Sequence, residues 1–281
     1  MPSIINTNIA SLNAQRNAAG TQLSLATSMQ RLSSGMRVNS SKDDAAGLAI
    51  ADRMSSQIRG MNVAVRNSND GISLSQTAEG ALSKVGDSLQ RMRELGVQAR
   101  NATNTTTDLD SIGKEFTELG SEIQRVLAGT TFNGKAILGA QAGAQLFQIG
   151  ANTTANDSVT VTTADMTTDT DIVAVTSDVI DNTKTAVDLK TTIENIDAAI
   201  NTVSSNRATL GAAQNRFEAV ISNLMVSVEN QSSARSRIMD ADYASETANL
   251  SRAQILQQAG SAMISQANQM PQQVLSLLRG G

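Results

Sequence analysis

Residues 189–238 read LKTTIENIDAAINTVSSNRATLGAAQNRFEAVISNLMVSVENQSSARSRI, and the spacing of their apolar side chains indicates the architecture. Steps of four and three residues from Leu189 land mostly on apolar positions, among them Ile193, Ile196, Ile200, Val203, Leu210, Phe217, Ile221, Leu224, Val228 and Ile238. Such a stripe keeps one side of a helix against a partner helix. A helix of this length measures roughly 75 Å, too long to be buried within a compact globule. The stretch therefore predicts a long helix packed along another.

The same four-three spacing recurs in other segments of the chain. One stripe runs from Leu74 to Ala99, and a shorter one runs from Leu109 to Val126. Two more lie near the ends of the chain, at Ile5, Ile9, Leu12, Arg16, Ala19, Leu23 and Ala26, and at Leu256, Gly260, Met263, Ala267, Met270, Val274 and Leu277. Small residues recur on these stripes, which permits close approach of helix backbones. The spacing predicts helices in both halves of the chain.

The centre of the chain has a different character. Residues 136–183 contain no Lys or Arg and are rich in Thr and Asp. Within them, residues 146–149 and 159–163 are typical of short strands, and Asn133-Gly134 just before them is a turn signal. We predict a mainly α fold: a long antiparallel helical bundle or coiled coil formed by the N- and C-terminal halves, with a small β-hairpin region in the centre. Residues 151–184 are expected to form a short, variable, surface-exposed tip.

Composition excludes several classes of chemistry. The chain has no Cys and no His, which removes disulfides, thiol nucleophiles, His/Cys metal sites and imidazole-based triads. We expect no enzyme activity, cofactor or metal, and we assign Asp43-Asp44 to a turn and helix cap rather than to paired-carboxylate catalysis. A net charge of −4 does not suit a nucleic-acid binder. No run approaches 18 apolar residues, so no membrane partner is expected.

The two end segments, residues 1–40 and 245–281, are predicted to associate with other copies of the chain. Isolated helices without tertiary packing are marginal in water, and the rest of the chain does not obviously supply enough surface to cover their stripes. We assign self-assembly to apolar residues on these stripes, namely Ile5, Ile9, Leu12, Leu23, Leu256, Met263, Met270, Val274 and Leu277.

The end segments also carry motifs of a known family. INTNIASLNAQRN, LSSGMRVNSSKDDAAGLAIADRM, QTAEGAL and RMRELGVQA lie in the first half, and RATLGAAQNRFEAVISNL, SRIMDADYASETANLSRAQILQQAGSAMISQAN and PQQVLSLL lie in the second. Over residues 1–150 and 190–281 the chain resembles bacterial flagellin, the subunit of the flagellar filament. Only about 40 residues separate the two blocks, which implies a short member without large outer domains.

This resemblance implies an organisation and a set of partners. Residues 1–42 with 238–281 would form a terminal coiled-coil domain in the inner tube of the filament. Residues 43–150 with 185–237 would form an outer-tube helical bundle carrying the β-hairpin. The chain would be exported by the flagellar type III system, held by an export chaperone, and assembled beneath cap and junction proteins into an extracellular homopolymer.

By resemblance to flagellins sensed by Toll-like receptor 5, three residues occupy receptor-binding positions: Arg91, Leu95 and Glu115. Without receptor binding, Arg91 and Glu115 are ordinary solvated charges and Leu95 is a stripe residue.

Two other functions remain open from the sequence. A hook–filament junction protein of the same superfamily shares the terminal helices but assembles in few copies. A soluble coiled-coil adaptor, a different class, would form a discrete oligomer and would not polymerise from seeds.

Overall fold

The computed structural model describes the backbone of residues 7–279 and the side chains of residues 7–270. Most of the chain is helical, as predicted. The helices are α1 (Ile9–Ser34), α2 (Ala45–Ala99), α3 (Thr106–Gly129), α4 (Thr170–Thr176), α5 (Ala186–Met239) and α6 (Tyr243–Arg279). The strands are β1 (Thr131–Phe132), β2 (Lys135–Ala136), β3 (Ala144–Gln148) and β4 (Ser158–Thr162).

The chain divides into two compact units, each with its own packing. The terminal unit contains residues 1–56 and 230–281, and the central unit contains residues 57–229. The assignment of these parts to an inner and an outer tube stays a prediction.

In the central unit, α5 confirms the long helix predicted from its apolar stripe. Every seventh residue from Leu189 to Leu224 is buried, namely Leu189, Ile196, Val203, Leu210, Phe217 and Leu224. The first five share one core with residues of α2, including Leu82, Leu89 and Met92, and Leu224 forms a smaller cluster with Met61 and Ala64 of α2. A strict heptad position thus faces the partner helix over five full repeats.

The helices α2 and α5 run antiparallel, as predicted. Arg93 Nε donates a 2.6 Å hydrogen bond to Asp197 Oδ1, and Arg207 Nη2 donates a 3.0 Å bond to Glu79 Oε1. Residue numbers therefore rise along one helix as they fall along the other. Along α5 these two ion pairs lie on either side of the buried Val203, and both agree with one register of the helix pair.

The helix α3 begins at a capping box and packs through glycines. Thr105 Oγ1 accepts a hydrogen bond from the Asp108 amide, and the Asp108 carboxylate accepts one from the Thr105 amide, so each residue satisfies a free donor of the other. Gly113 lies against the carbonyl of Ile180, and Gly120 lies against the backbone of Thr176. A side chain at Gly113 would overlap that carbonyl oxygen, so glycine permits this close approach.

The predicted β region is confirmed, with two small antiparallel hairpins. Strands β3 and β4 pair with Leu146 opposite Thr160, close to the segments expected from the sequence. Strands β1 and β2 enclose the Asn133-Gly134 turn, in which both residues have positive φ, 49° and 78°. Two consecutive positive φ angles define a turn that favours Asn-Gly and matches the twist of a two-residue hairpin.

Residues 151–184 are not exposed throughout, and the assignment of this segment to a surface-exposed tip stays a prediction. Its apolar side chains are buried in the core of the central unit: Val159, Val161, Met166, Ile172, Val175 and Ile180 are each at most 3% exposed. They are isolated in a Thr- and Asp-rich sequence, which conceals them from composition. The Asp residues serve local structure instead; Asp169, for example, caps the unpredicted helix α4.

In the terminal unit, α1 and α6 run antiparallel to each other. Asn8 Nδ2 donates a 2.7 Å hydrogen bond to the Ala267 carbonyl, and Arg31 lies 3.8 Å from Glu246 at the other end of the pair. α1 ends at Gly35, whose φ of 70° gives a left-handed C-cap. The segment after Gly35 is joined to the α5–α6 connection by an isolated bridge between Met36 and Asp240.

Candidate assembly surface

The contact between α1 and α6 is made mainly of small and polar side chains. Ser11 and Ser28 are the buried residues of α1, and Ala253 and Ala267 are buried in α6. A Cβ on Gly260 would lie 3.6 Å from the Cβ of Ala18, so the two backbones approach closely. The pairing of these helices therefore uses few of their large apolar side chains.

The large apolar side chains of both helices are exposed. Leu23 is 73% exposed and Ile9 and Met263 are each 63% exposed, values typical of surface residues. Others on the two helices are more than half exposed, namely Leu12, Met29, Ile255, Leu256 and Met270. This number of exposed large apolar residues on two paired helices is typical of an interaction surface.

Six of the nine predicted self-assembly residues belong to this exposed set: Ile9, Leu12, Leu23, Leu256, Met263 and Met270. Ile5 and the side chains of Val274 and Leu277 lie outside the described residues. The assembly role of all nine stays a proposal.

Helical geometry separates these residues into two groups. At 3.6 residues per turn, Ile9, Leu12 and Leu23 lie about 120–180° around α1 from Ala18, the residue beside Gly260. They form an outward ridge on the face turned away from α6. Leu256, Met263 and Met270 lie only about 40–80° around α6 from Gly260, at the edge of the helix pair.

Two exposed residues, Met29 and Ile255, were missed because they fall outside the four-three steps. The face of α1 that contacts α6 was missed too. Its signal was present in the sequence as small residues at helical spacing, such as Ser11, Ala14 and Ala18.

A groove runs along one side of the α1–α6 pair, and we call it the α1–α6 groove. Its first part has a volume of about 420 Å³ and is mainly apolar, and its lining includes Ala10, Ala14, Ala18, Leu256, Gly260 and Met263. Its second part has a volume of about 980 Å³ and is lined by Arg16, Arg31 and Arg252, with Glu246 as the only acid. Asn17, Thr21 and Leu256 line both parts, which are therefore continuous.

Three acidic residues of the terminal unit act in a turn or a helix cap. Asp43 accepts hydrogen bonds from the hydroxyl and amide of Ser40, and these bonds lower the pKa of its carboxyl. Asp44 accepts a 2.8 Å bond from the amide of Gly47 at the start of α2, which confirms the predicted cap. Asp242 accepts bonds from the amides of Ala244 and Ser245 at the start of α6.

Within the described part of the chain, no three His, Cys, Asp or Glu side chains are placed to hold a metal ion. No helix among the residues that the structure describes combines the length and apolar character needed to cross a bilayer.

The residues expected to contact a receptor lie in the central unit. Arg91 Nε donates a 2.8 Å hydrogen bond to Glu115 Oε1, and Arg91 Nη1 donates a 2.9 Å bond to Glu94 Oε2. The bond to Glu115, followed by the bond to Glu94, raises the pKa of the Arg91 guanidinium. The side chains of Arg91 and Glu115 are about half exposed, whereas Leu95 is only 2% exposed and lies in the core. Leu95 therefore underlies this surface and does not form part of it.

Comparisons with known proteins agree with this architecture. A family model described as the bacterial flagellin N-terminal helical region matches residues 5–143, and one described as the bacterial flagellin C-terminal helical region matches residues 193–278. Together they define a structural protein of the bacterial flagellum. The chain belongs to the bacterial flagellin family.

Relatives in this family match nearly the whole chain. A flagellin of Halalkalibacterium halodurans is 44% identical over 98% of this chain and 100% of its own length. A flagellin of Bacillus subtilis is 42% identical over 98% of this chain and 99% of its own length. The flagellar filament 33 kDa core protein of Treponema phagedenis is 39% identical over 98% and 100%. The chain is thus a short flagellin, and its homologues are structural proteins of the extracellular filament rather than enzymes.

Proposed function

We propose that this chain polymerises into the flagellar filament through the exposed apolar residues of α1 and α6. The observation that carries the proposal is the outward ridge of α1 together with the apolar part of the α1–α6 groove. Burying such side chains against another copy is worth about 25 cal/mol for each Å² of apolar surface removed from water. Association of many identical copies covers this surface in every subunit except those at the ends.

The terminal helices carry few charged residues. Within α1 and α6 the one acid, Glu246, lies 3.8 Å from Arg31, and the other charges are Arg16, Arg252 and Arg279. Packing these helices against another copy therefore desolvates few charges. Glutamine, asparagine, serine and threonine fill the remaining positions and can exchange hydrogen bonds with a neighbouring copy.

Secretion and its partners belong to the same proposal. The chain is exported through the flagellar type III system, and an export chaperone covers the C-terminal segment before assembly. Exposed apolar helices would aggregate in the cell if they were left uncovered, which gives such a chaperone a physical purpose. Cap and junction proteins then bound the polymer at its two ends.

A second proposal concerns the exposed pair Arg91–Glu115, which we assign to binding of Toll-like receptor 5. A half-exposed ion pair held by charge-assisted hydrogen bonds presents a defined arrangement of charge to a partner. Leu95 lies on the buried side of α2 and anchors this part of the helix in the core.

Seeded elongation tests the main proposal. Purified chain is added to short filament fragments, and filament length is followed by electron microscopy. Growth into long filaments is the expected result. Failure to elongate would favour a hook–filament junction protein, and a discrete oligomer at every concentration would favour a soluble coiled-coil adaptor.

A further inference from the structure

We propose that the α1–α6 groove of one copy receives the middle part of α5 from a second copy, through two ion pairs on either side of an apolar contact. This inference rests on the proposed self-assembly and names the two surfaces that meet. The surfaces differ, so the contact is heterologous, and heterologous contacts that do not close into a ring generate open helical polymers.

The basic side of the contact is Arg16 and Arg252 in the groove. Both side chains are exposed, and neither forms an ion pair among the described residues, whereas Arg31 in the same groove lies 3.8 Å from Glu246. Leu256 lies one helical turn after Arg252 and begins the apolar part of the groove. A partner helix must therefore present an apolar centre with acidic residues near it.

One exposed face of α5 in the central unit fits this requirement. Glu218, Met225 and Glu229 lie within about 40° of one another around the helix, with Val226 beside them. Met225 is 61% exposed and Val226 is 56% exposed. Glu218 and Glu229 are exposed, and neither forms an ion pair with any residue that the structure describes. Exposed apolar residues in the middle of a helix with unpaired acids on both sides need a partner of opposite charge.

The spacing of the charges matches as well. Because Ala18 lies beside Gly260 and the helices are antiparallel, Arg16 lies near the level of residue 262 on α6. Arg16 and Arg252 are thus separated along the groove by roughly 15 Å, and Glu218 and Glu229 are separated along α5 by roughly 16 Å. If α5 approaches antiparallel to α6, Glu229 meets Arg252, Met225 meets Leu256 and Glu218 meets Arg16.

The overall charges of the two units favour the same arrangement. The terminal unit has nine Lys and Arg and six Asp and Glu, a net charge of +3; the central unit has 13 and 20, a net charge of −7. Contact between a terminal unit and the central unit of another copy therefore pairs opposite charges. A contact between two central units would pair like charges instead.

Charge reversal in mixed polymers tests the inference. One double variant carries Arg16→Glu and Arg252→Glu, and the other carries Glu218→Arg and Glu229→Arg. Each is added alone to wild-type fragments, and then both are added in equal amounts. In the mixture, the acidic groove of the first variant faces the basic α5 of the second, and the unchanged basic groove of the second faces the unchanged acidic α5 of the first.

We expect each variant alone to elongate at least about tenfold more slowly than wild type, because like charges then face each other in every contact. The mixture is expected to recover most of the wild-type rate. The inference would be overturned if either variant alone elongated at the wild-type rate, or if the mixture elongated as slowly as each variant alone. Either result would leave the proposed polymerisation intact. Failure of wild-type chain to elongate would instead overturn the proposed function.

Two controls keep these outcomes distinct from misfolding. Each variant subunit should unfold at the wild-type urea concentration, since all four side chains are exposed. Glu118→Arg on α3 reverses another exposed charge without an ion pair among the described residues and should elongate normally.

Discussion

The hydroxyl of Ser11 donates a 2.7 Å hydrogen bond to the Asn268 side-chain oxygen and so ties the first turn of α1 to α6. Ser11 is 4% exposed, whereas its neighbour Leu12 is 53% exposed. The terminal helices thus bury a serine and expose a leucine, the reverse of the usual arrangement in a soluble subunit. This inversion is the physical basis for assigning their outer surface to contacts between copies.

Replacing exposed ridge and groove residues should abolish polymerisation without unfolding the subunit. In the triple variant Leu12→Ser, Leu23→Ser, Met263→Ser, all three side chains are more than half exposed, so little buried surface is lost within the subunit. We expect a change in unfolding free energy within about 1.5 kcal/mol, about 0.5 kcal/mol for each exposed position, and no elongation from seeds. Urea unfolding and electron microscopy measure the two effects.

The matched control is Leu146→Ser in β3, which removes a leucine that is 69% exposed in the central unit. It should retain elongation. Normal filament growth by the triple variant would contradict the role of these residues.

Gly113→Ala should destabilise the central unit by about 1–3 kcal/mol, because the added methyl group overlaps the Ile180 carbonyl and forces the backbone apart. Gly80→Ala in α2 meets no atom within 4 Å and should instead stabilise by about 0.5–1 kcal/mol. The midpoints of thermal unfolding of the two variants, compared with wild type, measure these effects. Equal shifts in the same direction would show that α3 does not pack this closely.

Acid should weaken the start of α3. Hydrogen bonds from the side chain and backbone of Thr105 lower the pKa of the Asp108 carboxyl below its usual value of 3.8. The stabilisation from this carboxylate is therefore complete above that value and is lost as the pH falls through the lowered pKa of the folded state. The difference in unfolding midpoint between wild type and Asp108→Asn should be constant near pH 6 and should shrink as the pH falls below about 4.

Asp110→Asn is the control for this series, since the Asp110 carboxylate accepts no hydrogen bond from any residue that the structure describes. A pH-independent difference for Asp108→Asn would remove the ionised cap from the account.

Arg91→Ala should reduce signalling in a Toll-like receptor 5 reporter assay by roughly tenfold. The substitution removes the positive charge and the two hydrogen bonds that link Arg91 to Glu115 and to Glu94. Arg125→Ala breaks a comparable exposed ion pair with Glu122 on α3 and should leave the signal unchanged. Equal signals from wild type and Arg91→Ala would exclude Arg91 from receptor binding.

Periodicity in the sequence was enough to predict the long helices, since one heptad position of α5 is apolar from Leu189 to Leu224. The Asn133-Gly134 turn and the two strands after it were also predictable from local propensity. The burial of Met166 and Ile172 was not, because single apolar residues among Thr and Asp give no periodic signal. Their burial depends on the side chains that surround them in the core of the central unit.

The assembly surface was predicted only in part. The sequence identified apolar stripes on α1 and α6, but the stripes themselves do not say which face contacts the other helix of the same subunit. The close approach of Ala18 to Gly260 answers this question, since it leaves Leu12 on the far face of α1 and Leu23 at the edge of the α1–α6 groove. Arg16 and Arg252 become a pair only through the antiparallel register of the two helices.

If neighbouring copies cover the apolar surface of the terminal helices, as we propose, the sulfur of Met263 becomes buried on polymerisation. Met263 is 63% exposed in the subunit, whereas Met92 and Met166 are fully buried within it and serve as internal references. Oxidation of each methionine by dilute peroxide is followed by peptide mass spectrometry in separated subunits and in filaments. We expect Met263 oxidation to slow at least about tenfold on polymerisation, because burial keeps the peroxide away from the sulfur. An equal rate of Met263 oxidation in subunits and filaments would contradict it.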